Sequence, residues 1–462
     1  MSFDFHAQPV LVLGAGVTGN SVAKALNARG AIISIVDDNS RATSDFRVLT
    51  PDAVQMSDFA AVVVSPGWNE SHRLLRAAVT AGIKILNEVD IAWSIAQEIS
   101  PGQKWLALTG TNGKTTTVEM TAAMLQRAGY KAIACGNVGD TVIDAVIHPD
   151  GFDYLVLELS SFQLHWLKDA CFKSVAILNI ADDHLDWHGS FEAYCAAKFS
   201  ILNRAEVALL NSDDGEIVKR ANNWKGRKIF FSLGTPSPGE LGVVEDLLVD
   251  RAFVPDTQEA AMIASINDIQ PTLPHSVSNA LAAAGLALTV GVPYSDIQNA
   301  LIDFHPGRHR IEKIFEADGI AWIDDSKATN PHAAAASLMS HLSVVWIAGG
   351  LAKGADMNAL VARTKARIKA AILIGNDRDL IEAAFLRHSP ATPVVKVDAD
   401  YIKGGASNAL MEEVVKAAAS FAAPGDTVLM APACASMDQF ISYADRGDRF
   451  AKAVKKLVAH EK

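Results

Sequence analysis

Short runs of apolar, often β-branched residues recur along the whole chain and alternate with longer stretches of helical periodicity. No other feature of the sequence narrows the fold as much. A strand that is apolar on both faces must be covered on both, and helices between successive strands do this. The pattern therefore predicts an α/β fold with parallel sheets. The first strands are expected at residues 10–13, 31–36, 61–64 and 83–86, followed by a linker at 99–103 that carries Pro101 and Gly102. A second set is expected at 105–108, 154–157, 175–178, 207–210 and 229–231, with an irregular β-rich excursion over 236–269. His305-Pro306-Gly307 reads as a second boundary, before strands at 320–323, 344–348, 371–374, 394–397 and 428–430. At about 150 residues per domain, 462 residues divide into three units in series, at 1–100, 101–305 and 306–462.

The formal net charge is −11, which makes the protein a poor general binder of nucleic acid or of an anionic membrane. Anionic substrates would have to be held locally by cations, helix N-termini or metal ions. Cys135, Cys171, Cys195 and Cys434 are scattered and form no C-x-x-C pair, which fits a reducing cytosol better than a disulfide framework or a zinc ribbon. The N-terminal residues lack the basic patch and apolar stretch of a signal peptide. No apolar run reaches the ~18 residues of a membrane helix. A soluble cytoplasmic protein is expected, and a monomer, since the chain carries three cores of its own.

The strongest local motif is Thr109-Gly110-Thr111-Asn112-Gly113-Lys114-Thr115-Thr116, between an expected strand and a helical pattern that runs to about Gly129. Strand, glycine-rich loop and helix start form the context of a phosphate loop, in which backbone N–H groups and the helix dipole face the phosphates. Lys114 would reach the β- and γ-phosphates and the Thr115 hydroxyl would ligate Mg²⁺. The spacing departs from G-x-x-x-x-G-K-[ST], because Leu108 occupies the place of the first glycine. A chance Gly-Lys-Thr turn is the competing explanation.

Gly14-Ala15-Gly16-Val17-Thr18-Gly19 follows the first strand, and Asp37 ends the second. This is the pattern of a dinucleotide site, and taken alone it suggests an NAD-dependent oxidoreductase. The same backbone could hold another diphosphate-linked nucleoside or serve only as a βα turn. Ser65-Pro66-Gly67 lies at the same expected sheet edge.

Glu158 ends a strand and precedes Ser160-Ser161-Phe162-Gln163. A carboxylate beside a phosphate loop suits Mg²⁺, and an ion-paired or capping acid is the bland alternative. Asn179-Ile-Ala-Asp182-Asp183-His184 ends another strand, and the next helix carries Lys198, which by itself reads as a solvated side chain. In the third unit, Asp324-Asp325-Ser326-Lys327-Ala328-Thr329-Asn330-Pro331 joins a strand to a helix, with Asn330 suited to the N-cap and Pro331 to the first helical position. Gly349-Gly350-Leu351-Ala352-Lys353-Gly354 and the Ser436-Met437-Asp438 segment also follow strands. In a parallel sheet these loops share one edge.

Across the whole chain these residues resemble the Mur ligases. The resemblance is carried by the phosphate-loop segment 110–116, by Asp325-Ser-Lys-Ala-Thr-Asn and by Pro432-Ala-Cys-Ala-Ser-Met-Asp-Gln-Phe. Leu157-Glu-Leu-Ser-Ser-Phe-Gln-Leu and Asp183-His184 narrow it to the branch that joins D-glutamate to UDP-N-acetylmuramoyl-L-alanine in peptidoglycan synthesis. Folylpolyglutamate synthases share the last two domains but not the N-terminal nucleoside pattern. The resemblance implies a Rossmann-like N-terminal domain, a central P-loop ATPase-like domain and a C-terminal Rossmann-like domain. It also implies ATP-driven amide formation through an acyl phosphate, with ADP and phosphate released. Gly110, Thr111, Asn112, Gly113, Lys114, Thr115, Thr116, Asn279, Arg310 and Asp325 would face ATP. Thr115 and Glu158 would hold one Mg²⁺, and His184 with Lys198 a second. In this family that lysine is carbamylated, which requires the neutral amine of a group whose ordinary pKa is about 10.4. Val17, Thr18, Asp37, Gly67 and Asn137 would line the UDP site, with Ser160 and Gln163 also on substrate. Lys327, Thr329, Lys353, Ser436, Met437 and Tyr443 would surround D-glutamate. The chain departs from the family pattern at His275-Ser276, where His-Asn is usual, and at Tyr443, where Phe is common.

Overall fold

A computed structural model describes residues 3–39, 42–397 and 408–460. Among these residues the chain forms three sheets and divides into two compact units, residues 1–180 with 192–304, and residues 181–191 with 305–462.

The first unit contains two sheets. The first sheet is parallel, in the order Arg47–Leu49, Ile32–Val36, Pro9–Leu13, Ala61–Val64, Lys84–Asn87. The strand order reverses direction at Pro9–Leu13, and the carboxyl edge of such a switch point is where doubly wound sheets bind ligands. Gly19 must be glycine here, because an added Cβ would collide with the Gly14 carbonyl oxygen.

The second sheet has the order Ala261–Ser265, Leu247–Asp250, Leu241–Val244, Arg227–Phe231, Ala205–Asn211, Phe172–Ile177, Lys104–Thr109, Tyr154–Glu158, Ala132–Gly136. Its strands are parallel except for the antiparallel Leu241–Ser265 meander, which is the expected β-rich excursion. Helix Pro274–Leu288, rich in alanine and buried along most of its length, packs with Lys114–Arg127 against this sheet. Small side chains let the two helices approach closely.

The two sheets are joined by a buried polar latch. The Asp90 carboxylate accepts the backbone N–H groups of Lys168, Asp169 and Ala170, each at 2.8 Å. Asn87 caps the Asp90 helix and also donates to the Trp166 carbonyl. Beside it, Glu88 accepts the Ile143 N–H at 2.8 Å, and its burial pushes its carboxyl pKa up to about 7.

The second unit is one sheet in the order Glu312–Ala317, Ile320–Asp324, Thr427–Met430, Val344–Gly349, Ile368–Ile374, Val394–Lys396, parallel except at its first strand. Helices cover both faces, forming two apolar clusters around Trp346 and Phe385 on one side and Trp322 and Phe450 on the other. Among the described residues, no helix is long and apolar enough to cross a membrane. All four cysteines are free thiols.

Candidate active site

The phosphate-loop motif connects strand Lys104–Thr109 to helix Lys114–Arg127. Gly113 sits at the helix N-cap with φ 82°, a left-handed conformation that glycine adopts without strain. A Cβ at Gly113 would also sit on the side-chain oxygen of Asn279, so the expected ATP contact packs directly against the loop. Lys114 Nζ donates to the carbonyls of Gly110 and Thr111, at 3.0 and 2.9 Å. The first turn of an α-helix leaves N–H groups that the helix itself does not bond, which is the feature that binds phosphate, and helix Lys114–Arg127 starts directly after this loop.

Below the loop, Thr115 Oγ1 donates to Glu158 Oε2 at 2.7 Å, and Asn137 Nδ2 donates to Glu158 Oε1 at 2.8 Å. Glu158 is 2% exposed. Asn137, expected on the UDP, therefore lies against the candidate metal carboxylate. Lys198 is equally buried, and its Nζ donates to the Gly110 carbonyl at 2.7 Å and lies over the Tyr194 ring. Ser160 and Gln163, expected on substrate, form a capping box at the start of helix Ser161–Trp166.

At the N-terminal sheet edge, Asp37 uses one carboxylate oxygen on the Ala15 N–H, at 2.7 Å, and the other on the Asn39 N–H, at 2.8 Å. The acid thus shapes the glycine loop. Val17 and Thr18 occupy the first turn after that loop, and Gly67 is exposed.

In the second unit, Asn330 caps helix Pro331–Met339 through the Ala333 N–H, with Pro331 at its first position, as expected. Burial pushes the Asp325 pKa up to about 7, with Asp324 adding to the rise and the Ile311 N–H and Arg310 opposing it. Lys327 Nζ stands 4.0 Å from the centre of the Tyr443 ring. Thr329 is half-buried, Ser436 buried, and Lys353 and Met437 exposed. His184, in left-handed backbone, pairs with Asp183 through Nε2 at 3.6 Å.

The Mur ligase middle domain family matches residues 108–287, and the Mur ligase glutamate ligase domain family matches 309–434. The UDP-N-acetylmuramoylalanine–D-glutamate ligase of Streptomyces coelicolor is 45% identical over 480 residues, covering 99% of this chain and 100% of its own. The chain belongs to this ligase family. Among solved structures, a pseudomurein peptide ligase type C from Methanothermus fervidus aligns with a TM-score of 0.62 at 18% identity, over 97% of this chain and 100% of its own. MurF ligase from Thermotoga maritima, in complex with ADP, aligns with a TM-score of 0.59 at 18% identity, over 98% and 96%. These two establish the shared fold.

Mur ligases are ATP-dependent, and the residues present fit both a nucleoside triphosphate and the divalent cation that the resemblance implies. Glycine at 113 lets the loop backbone pack directly on Asn279, and the Thr115 hydroxyl and Glu158 carboxylate are the oxygen donors that Mg²⁺ takes. Lys198 as an ammonium is no metal ligand, and only its carbamate would fit that role.

Some residues at these strand ends, in each unit, were not assigned a role from sequence. Asn179 grips the phosphate loop, and the Tyr194 hydroxyl meets Thr111 Oγ1 at 2.8 Å. His309 Nδ1 pairs with the buried Asp324 at 2.7 Å, which raises the His309 pKa. Arg446 is completely buried and its guanidinium donates to Ser326, Cys434 and Gly349, tying three strand-end loops together. Asn179 had the one available signal, a polar residue at the end of an apolar strand beside a phosphate loop. The others emerge only when segments distant in sequence are folded together.

Proposed function

We propose that this Mur ligase joins D-glutamate to UDP-N-acetylmuramoyl-L-alanine, with conversion of ATP to ADP and phosphate, in the cytoplasm. Full-length similarity to ligases of that name supports the substrates. The observation that carries the chemistry is the Thr115–Glu158 pair beneath a loop that also presents Lys114.

The reaction begins with attack of the L-alanyl carboxylate on the γ-phosphate of ATP. Two anions must meet, so Lys114 and the N-terminal turn of helix Lys114–Arg127 neutralise the developing charge. Bound Mg²⁺ supplies Lewis-acid stabilisation of the phosphoryl oxygens. Thr115 and Glu158 are the ligands proposed for it, with His184 and a carbamylated Lys198 for a second ion. Asn279, Arg310 and Asp325 hold the nucleotide, and Asn137, whose amide also donates to Glu158, lines the UDP site. Val17, Thr18, Asp37 and Gly67 hold the UDP, and Ser160 and Gln163 also contact the substrate. Lys327, Thr329, Lys353, Ser436, Met437 and Tyr443 receive D-glutamate, whose amine attacks the acyl phosphate and expels phosphate. In this reading 1–100 is the UDP-substrate domain, 101–305 the ATP domain and 306–462 the amino-acid domain.

The test is phosphate release from ATP with UDP-N-acetylmuramoyl-L-alanine and a panel of D- and L-amino acids. Release is expected only when the nucleotide-linked substrate and D-glutamate are both present. AMP and pyrophosphate as products, or preference for another amino acid, would refute it.

A further inference from the structure

The phosphate loop of this chain is short. Leu108 lies inside the strand where a longer loop would have its first glycine, so the turn from Thr109 to Lys114 has few residues with which to close on itself. A neighbouring strand end supplies what the loop lacks. Phe172–Ile177 pairs parallel with Lys104–Thr109, which brings residue 179 beside the loop. The Asn179 side chain makes a reciprocal pair with the backbone of Asn112: Oδ1 accepts the Asn112 N–H at 2.8 Å, and Nδ2 donates to the Asn112 carbonyl at 3.0 Å. The Asn179 carbonyl also accepts the Thr111 N–H at 2.9 Å. Gly110 permits this approach, since a Cβ there would lie 3.0 Å from Leu178 Cβ and 3.4 Å from the Asn179 nitrogen.

We infer that Asn179 is a positioning residue for nucleotide binding, acting through the phosphate loop. It engages the N–H groups of Thr111 and Asn112, so phosphate falls to the N–H groups of the following helix turn. Meanwhile Lys114 and Lys198 hold the Gly110 carbonyl from another side. A loop gripped on both its donors and its acceptors enters the bound state already shaped, which saves ordering entropy that would otherwise oppose ATP binding. Asparagine is specific to this task. It offers one acceptor and one donor on the same planar amide, matching the acceptor and donor of a peptide unit.

This inference rests on the reading of the loop as an ATP site, and the experiment separates the two. ADP affinity is measured by calorimetry for the full-length protein and for Asn179→Ala and Asn179→Asp, with UDP-N-acetylmuramoyl-L-alanine affinity and thermal midpoint in parallel. Two side-chain hydrogen bonds at about 0.5–1.5 kcal/mol each correspond to a loss of about fivefold to 150-fold for Asn179→Ala. Asn179→Asp keeps the acceptor but turns a carboxylate oxygen toward the Asn112 carbonyl, so it also weakens ADP binding at neutral pH. It should recover part of the loss toward pH 5, where a protonated carboxyl restores the donor. Affinity for the UDP substrate is expected to stay within about twofold in both variants.

Unchanged ADP affinity in either folded variant overturns the inference, as does an equal loss of both ligands. If Asn179→Ala fails to fold, Asn179→Asp decides alone, through its ADP affinity and the pH dependence of the loss relative to the unsubstituted protein. If the unsubstituted protein binds no ADP, the ATP-site reading itself fails.

Discussion

Lys114 and Lys198 converge on one oxygen: both ammonium groups donate to the Gly110 carbonyl, at 3.0 and 2.7 Å. Lys198 is almost wholly buried. Like charges this close repel, and more strongly where burial lowers the effective dielectric. Carbamylation of Lys198 would reverse its sign and leave Lys114 as the cation facing the phosphates. Activity is therefore expected to fall in buffer stripped of carbon dioxide and to return with bicarbonate. Labelled bicarbonate should give a carbamate carbon resonance that is absent in Lys198→Ala. Full activity without bicarbonate and without that resonance would contradict the assignment.

The Thr115–Glu158 hydrogen bond leads to a second expectation. Glu158→Gln keeps the side chain's shape and an acceptor for Thr115 but removes the charge. If the carboxylate holds the metal, kcat should fall on the order of 10²–10³-fold, as for loss of one preorganised electrostatic group. The Mg²⁺ midpoint should move to higher concentration. Thr115→Ser retains the oxygen and should stay within about threefold. A Mg²⁺ titration of steady-state rates reads both, and an unmoved midpoint in Glu158→Gln would remove Glu158 from the metal site.

Two buried carboxyls make stability depend on pH. Glu88 and Asp325 both have pKa values raised to about 7 by burial. Between their unfolded values, about 4, and 7 the folded chain keeps protons that the unfolded chain has released. Stability therefore falls as pH rises through that window and levels off above it. Glu88→Gln, which keeps the acceptor for the Ile143 N–H, should flatten part of the slope, and Asp325→Asn another part. Denaturant unfolding at pH 5.5, 7 and 8.5 checks this, and slopes equal to that of the unsubstituted protein would contradict the burial argument.

Much of the sheet framework was legible because its strands are apolar on both faces and bounded by glycine and proline. Three strands were not anticipated. Ala132–Gly136 has a single large apolar residue, Ile133, among small ones, which gives little apolar signal. Glu312–Ala317 and the three-residue Arg47–Leu49 are edge strands with charged or exposed positions, which resemble loops in one dimension. At the site, the phosphate loop and the Asn330 cap could be read because each is a contiguous motif. Asn137 on Glu158 and Arg446 across three loops could not, because those pairings join residues from separate strand ends.

Arg446 gives a fourth expectation. Its fork ties Ser326 to Cys434 and Gly349, and burial lowers its pKa to about 10. Arg446→Lys keeps a cation but loses the planar fork. The Ser326 and Cys434 loops adjoin Lys327 and Ser436, which are proposed to bind the amino acid. The KM for D-glutamate should thus rise about tenfold, with ADP affinity within about twofold. A D-glutamate KM that does not change would limit Arg446 to packing.

The central claim is that a carboxylate is activated by transfer of the γ-phosphoryl group. The most direct measurement uses UDP-N-acetylmuramoyl-L-alanine labelled with ¹⁸O in its terminal carboxylate, with ATP and D-glutamate, followed by mass analysis of the released phosphate. Phosphate carrying one labelled oxygen per amide bond formed is the expected result. Amide formation with unlabelled phosphate would contradict the account.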